Sequence, residues 1–340
     1  MRVAVTGVSG CLGQRLLALL DADDAVDSIV GLDVHEPARG ARKLEFHRCD
    51  VTTADLKPYL EDVDVIAHLA AFVGPSVDLA TVRRVNVDAT RRLLEAASAV
   101  SAARFVKASS AAIYGAWENN PVPLTDDAPL RPNPGFAPAL HDAECERLVL
   151  EWAEAHPNAT TVVLRIAPVV GAGIESLFAN AAAGRPPVRV RGVDRLVQVV
   201  HVDDAASALA FAVTGELAGV YNVAADGWLT ASEAAAVSGG GTRRPQLPYE
   251  LAERTLRTVW ASGLGDAPPE VLPYLVHPWV IANDKLRARG WEPRHTVEEA
   301  LVLAGDPDSA RSPLPWITAV GAVLTGAAGA TWWLTRRRRH

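Results

Sequence analysis

Met1-Arg-Val-Ala-Val-Thr-Gly-Val-Ser-Gly-Cys-Leu-Gly13 opens the chain. Its apolar run at Val3, Ala4 and Val5 reads as a buried parallel strand, and Leu12, Leu16, Leu17 and Leu20 begin a helical period. Between them stand Gly7, Gly10 and Gly13 at three-residue spacing. A turn that cradles phosphate needs glycine where the chain bends, where backbone meets the pyrophosphate, and where helix packs on strand. The N–H groups of the helix start, those of Cys11 and Leu12 among them, then face the anion. Alone, such a spacing also describes an ordinary helix start. A second apolar strand at 28–32 removes the ambiguity: it ends in Asp33, twenty residues beyond Gly13. An acidic side chain there accepts from the hydroxyls of an adenosine ribose.

Composition narrows the class. With 340 residues, 49% of them hydrophobic, the chain can bury a large core and divide into a main domain and a smaller companion. A net charge of −7 with interspersed bases argues against a nucleic-acid surface. Cys11, Cys49 and Cys145 form no Cys-x-x-Cys pair and are odd in number, so neither a disulfide framework nor a zinc or other metal site is expected. That usage fits a reducing cytoplasm. Cys11 is read as a small packed side chain rather than a reactive thiol. No apolar signal region precedes the first strand.

Beyond Asp33, strand and helix patterns alternate: strands at 43–48, 63–69, 104–109 and 161–166, helices at 53–60, 79–100 and 139–155. The expected fold class is α/β, a doubly wound parallel sheet of the Rossmann type with a smaller C-terminal substrate-type domain and a C-terminal hydrophobic helix. Residues 1–167 form the dinucleotide-binding domain, with later returns near 195–225 and 276–290, and 168–304 mainly the smaller one. A strand at 196–200 and helices at 203–213 and 247–261 belong to that irregular half.

Several motifs then carry a resemblance. Thr6-Gly-Val-Ser-Gly-Cys-Leu-Gly13, Asp33, Asp50-Val51, His68-Leu-Ala-Ala71, Asn86, Ser109-Ser-Ala-Ala-Ile-Tyr-Gly115, Leu164-Arg-Ile-Ala-Pro168, His201-Val-Asp-Asp204 and the ending from Asn283 to Leu301 resemble the extended short-chain dehydrogenase/reductases, the NAD-dependent epimerase/dehydratase group. The resemblance implies that Gly7, Gly10, Cys11, Leu12 and Gly13 hold the pyrophosphate, Asp33 the adenosine ribose, Asp50 and Val51 the adenine edge, and Leu69, Ala70 and Ala71 the cofactor's far side. Asn86 would support the site. His68 is as well explained as a satisfied strand-end histidine, and the Asp pair of His201-Val-Asp-Asp204 as capping. The implied cofactor is NAD rather than NADP, because Asp33 repels a 2′-phosphate; Arg39 and Arg42 are the only nearby groups that argue otherwise.

One part of the pattern fails. Family chemistry needs a tyrosine acid/base and, one helical turn later, a lysine that lowers its pKa and bonds the nicotinamide ribose. The matching stretch is Phe136-Ala-Pro-Ala-Leu-His-Asp-Ala-Glu-Cys-Glu146, with Pro138 at the tyrosine position and Asp142 at the lysine position. No Tyr-x-x-x-Lys exists elsewhere, since the residues four before Lys43, Lys57, Lys107 and Lys285 are Arg39, Thr53, Ala103 and Ile281. Ser110 is left as a remnant of the triad. His141 is adjacent, and is read as a solvent-facing helix residue rather than a replacement base.

The tail changes character: 305–313 is a polar linker, 314–335 an uncharged run bounded by Trp316 and Trp332-Trp333, and 336–340 a basic end. A helix over 314–334 is long enough to span about 30 Å of hydrocarbon. The expectation is therefore a cytoplasmic domain attached to the plasma membrane by its C-terminus, across the bilayer or along its inner face. Its partners would be a small-molecule substrate or a sensed dinucleotide, with no nucleic acid and with a homodimer left open. Two function classes follow. One is a membrane-associated dinucleotide-binding or sensing protein silent in Tyr/Lys chemistry, and the other is a nucleotide-sugar epimerase, dehydratase or reductase with a non-standard acid/base.

Overall fold

The computed structural model describes residues 1–71, 78–174, 176–239 and 245–304. Seven parallel strands form its main sheet: β1 (Arg2–Thr6), β2 (Ser28–Asp33), β3 (Leu44–Arg48), β4 (Val65–His68), β5 (Arg104–Ser110), β6 (Thr160–Ile166) and, after four two-residue strands, β11 (Gly219–Val223). Their order is β11-β6-β5-β4-β1-β2-β3. The chain runs outward from β1 through β2 to β3, then crosses back to place β4 on the other side of β1. Strand order reverses there, and in open α/β sheets that reversal creates the ligand crevice at the carboxyl ends of the strands.

Alternation along β1 explains why it is apolar throughout. Val3 and Val5 pack with Leu16, Leu17 and Leu20 of helix α1 (Cys11–Ala22) on one face of the sheet. Ala4, between them, belongs to a second core with Val30, Ile66, Leu93, Phe105 and Trp152 on the other face. Helices cover both faces, as the doubly wound expectation requires. A short helix α2 (Lys57–Leu60) stands where 53–60 is expected; residues 51–54 form turns in which Asp50 Oδ1 accepts from Thr52 N at 2.9 Å. The expected helix at 79–100 is three pieces: α3 (Leu79–Arg83), a π turn at Arg84–Asp88 and α4 (Ala89–Val100). Helix α5 (Ala137–Ala155) tolerates Pro138 because it lies in the first turn, where a missing N–H breaks no bond.

The expected strand at 196–200 is split. Of the short strands β7 (Val169–Val170), β8 (Arg189–Val190), β9 (Leu196–Val197) and β10 (Val200–His201), the last two pair with different partners, β9 with β12 (Leu229–Thr230) and β10 with β7. Helix α6 (Leu177–Ala182) precedes β8, and helix α7 (Val202–Thr214) packs on α1, where Arg15 Nε donates to Asp203 Oδ1 at 2.7 Å. On the outer edge of β11, Lys285 Nζ donates to the Val220 carbonyl at 2.8 Å and Asn222 N donates to Asp126 Oδ1 at 2.5 Å.

The expectation of attachment to the plasma membrane is corrected here. No helix among the described residues is long and apolar enough to cross a membrane. The longest of them, α5, has 19 residues and carries Asp142, Glu144, Glu146, Arg147 and Glu151. The stretch 314–334, on which the expectation rested, lies outside the described residues.

Candidate dinucleotide site

The glycine turn sits at the carboxyl end of β1, against the loop that leaves β4. Gly7 has φ +75°, and a Cβ there would lie 2.8 Å from Ala70 N. One at Gly13 would strike the Gly7 carbonyl oxygen. Both positions are closed to any side chain, by conformation at the first and by contact at both. Gly10 precedes α1 in an extended conformation and offers no capping side chain. Gln14 N is the first helix donor to reach back, to Gly10 O at 2.9 Å, so the N–H groups of Cys11, Leu12 and Gly13 lie ahead of that first bond. Leu69 N bonds Thr6 O at 3.2 Å and Ala70 N bonds Thr6 Oγ1 at 3.3 Å, which ties the two loops of the crevice together, with Ala71 exposed beside them. A concave backbone that glycine alone permits, ending in free N–H donors, fits a pyrophosphate.

Asp33 folds over this turn. Its Oδ2 accepts from Ser9 N at 3.0 Å and its Oδ1 from His35 N at 3.1 Å, which fixes the carboxylate and leaves lone pairs for a diol. Cys49 N donates to the Asp33 carbonyl at 2.8 Å, placing exposed Asp50 and buried Val51 alongside. Arg42, one of the two residues arguing for NADP, is 3.8 Å from Asp21 on α1.

A buried relay runs through the other half of the sheet. Thr6 Oγ1 and His68 Nδ1 are 2.7 Å apart, His68 Nε2 and Thr90 Oγ1 2.9 Å, and Thr90 Oγ1 donates to the Asn86 carbonyl at 2.7 Å. Burial, reinforced by the Lys107 charge, holds His68 well below the ordinary histidine range. The ring is neutral and satisfied, a structural strand-end histidine. Asn86 lies in the π turn, whose widened ladder leaves its carbonyl to Thr90 and to the Cys145 thiol at 3.3 Å.

The residues at the expected catalytic positions carry different chemistry. Ser110 Oγ accepts from Ala112 N at 3.2 Å, capping the short 3₁₀ turn that follows β5. Tyr114 is sealed in, donating to Asn222 Oδ1 at 2.8 Å, and burial pushes its phenol up to about 12. Pro138 is exposed. His141 is half-buried rather than solvent-facing: its Nδ1 has no hydrogen-bond partner among the described residues, and burial followed by the nearby Arg83 charge lowers its pKa. Asp142, half-buried, has a carboxyl raised to about 6 by burial, against the pull of Lys107.

Two residues escaped the sequence reading. Lys107 is the first, a lysine inside the apolar strand Phe105-Val106-Lys107-Ala108 and only 2% exposed. Its presence in a buried strand was the available signal. The second is Arg195, in a narrow cleft with Ala111, Pro168, Phe178 and Trp279. The one hydrogen bond of its guanidinium among the described residues is a 3.4 Å contact to the Leu196 carbonyl, and burial pulls its pKa down to about 10. The cleft opens beside the end of β5 and offers a cation among apolar walls.

Residues 3–224 match the family described as "NAD dependent epimerase/dehydratase family". The chain is 30% identical over 331 residues to a 3-diazoavenalumate denitrifying reductase from a Streptomyces species, covering 87% of this chain and 97% of the relative. It is 27% identical to an uncharacterised protein of Mycobacterium tuberculosis over 88% of this chain and 81% of that one. Among solved structures, the Thermus thermophilus UDP-glucose 4-epimerase in complex with NAD is similar with a TM-score of 0.67 and 24% identity, over 92% of this chain and all of that one.

Proposed function

The chain belongs to the NAD dependent epimerase/dehydratase family, and on that premise we propose that it binds NAD and is silent in the family's tyrosine-dependent hydride chemistry, acting as a dinucleotide-binding or sensing protein. The observation that carries this reading is the pair Pro138 and Asp142 on α5. Proline has no proton to transfer, and a carboxylate cannot lower a tyrosine pKa as an ammonium does. Tyr114 supplies no substitute, since its phenol is raised to about 12 and held by Arg165 and Asn222. Losing an acid/base alone costs roughly a hundredfold to ten-thousandfold in rate. NAD, when bound, supplies the hydride-accepting ring; the chain's glycine turn orients its pyrophosphate and Asp33 its adenosine ribose. The Arg195 guanidinium beside the end of β5 offers a positive charge to an anionic substrate, and nucleotide sugars are the class suggested by likeness to the UDP-glucose 4-epimerase.

A second reading is favoured by the Streptomyces relative, which is named as a reductase. Hydride delivered to a carbon bearing a diazonium group forms a C–H bond as the C–N bond breaks. Dinitrogen would leave with no proton needed, the hydride being supplied by a reduced dinucleotide that the glycine turn and Asp33 would hold. A site without acid/base can perform that step. The test is hydride transfer by the unmodified chain, followed by nicotinamide absorbance, with a panel of nucleotide sugars and an arenediazonium. Background rates throughout support the silent reading, and NADH oxidation with the diazonium alone supports the second. Robust nucleotide-sugar turnover that survives Ser110→Ala and His141→Ala overturns both.

A further inference from the structure

The Asp142 carboxylate makes no hydrogen bond to the protein among the described residues, although it is half-buried in the second turn of α5. On strand β5, against which α5 packs, the Lys107 ammonium spends one of its three donors on the Ala108 carbonyl at 2.7 Å. Thr90 Oγ1 lies 2.9 Å from His68 Nε2 and 3.4 Å from Cys145 Sγ, one turn along α5 from Asp142, and the Lys107 charge favours the ionised form of the Asp142 carboxyl. Among the described residues no ion pair within 4.0 Å joins Lys107 to Asp142, and no donor uses the carboxylate's acceptors.

The sheet says which half of a dinucleotide this neighbourhood serves. Strands β1 to β3 carry Asp33 and the glycine turn, and a dinucleotide crossing the reversal between β1 and β4 lays its second nucleoside over the ends of β4 and β5. The turn after β5 stands at that end, and helix α5 packs against it. A ribose diol donates as well as accepts, and a carboxylate with free lone pairs binds it as Asp33 would bind the first ribose.

We propose that Asp142 is a second ribose-binding carboxylate, positioned by the buried Lys107, and that it makes this chain selective for oxidised over reduced dinucleotide. The inference rests on the reading that the chain binds NAD. The two redox forms share every phosphate and hydroxyl and differ by the positive charge of the nicotinamide ring. An anion where the family pattern has a cation therefore separates them by charge alone, and the site reports the oxidised pool.

The experiment is calorimetric titration of the full chain with NAD⁺ and with NADH at neutral pH. The expected result is about tenfold tighter binding of NAD⁺, abolished by Asp142→Asn and inverted by Asp142→Lys. Lys107→Met strips the carboxylate of its counter-charge and moves the pH at which the preference appears upward; an unmoved midpoint overturns the role given to Lys107. Equal affinity for the two forms in the parent, or a preference retained by Asp142→Asn, overturns the proposal while leaving dinucleotide binding intact. Binding of neither form overturns the reading beneath it instead.

Discussion

Arg165 Nε donates to both carboxylate oxygens of Glu146, at 3.1 and 3.2 Å, where β6 faces α5, and Glu146 is fully shielded from solvent. The same guanidinium donates to Tyr114 Oη at 2.7 Å and to the Asp126 carbonyl at 2.8 Å. One cation thus ties the helix bearing Pro138 and Asp142 to the strand end, the tyrosine and the loop beyond it. Glu146→Ala leaves it uncompensated, and a loss of about 3–5 kcal/mol is expected in denaturant unfolding. Replacing both partners, Glu146→Leu with Arg165→Met, should cost far less than the single change.

Gly7→Ala forces a side chain into a positive-φ position and against Ala70 N. The conformation alone costs about 1–3 kcal/mol. Because relief requires the loop after β1 to move, NAD⁺ affinity should fall with stability. Thermal unfolding measured with and without cofactor reads both; unchanged cofactor-induced stabilisation would count against the cradle.

Asp33 should set the choice between NAD and NADP. Asp33→Ala removes the charge that repels a 2′-phosphate and also releases Ser9 N and His35 N. The ratio of NADP to NAD dissociation constants is expected to fall by about tenfold, measured by competitive titration. A ratio that stays put would move the ribose contact elsewhere.

Stability should depend on pH through Asp142. Its folded value, about 6, lies above the unfolded 3.8, so the folded state holds the extra proton between them and stability falls as pH rises through that window. Asp142→Asn should match the parent near the lower limit and exceed it above about pH 6. His68 acts in the opposite sense. Its folded value lies well below 6.5, so stability present above that pH is lost as pH falls beneath it. Unfolding midpoints across pH for the parent and Asp142→Asn separate the two.

Much of this was legible in the chain. Gly7, Gly10, Gly13 and Asp33 declare themselves because tight backbone approach and a fixed strand–helix–strand length leave few alternatives. The π turn around Asn86 was not legible, since inserting one residue into a helical ladder leaves the apolar period almost unaltered. Nor was the setting of His141, which depends on how α5 meets Arg83 across the fold. Lys107 is visible as a lone charge in an apolar strand, but its effect on Asp142 joins two elements far apart in sequence.

The edge of β11 carries a final consequence. A parallel strand at the margin of a sheet exposes alternate N–H and C=O groups that another chain can pair with. Here the outward carbonyl of Val220 is occupied by Lys285 and the outward N–H of Asn222 by Asp126, and the lysine also lies 5.1 Å from the centre of the Tyr221 ring. Those two side chains act as stoppers. Strand-by-strand growth on this side would have to displace both, which guards a hydrophobic parallel core against runaway polymerisation.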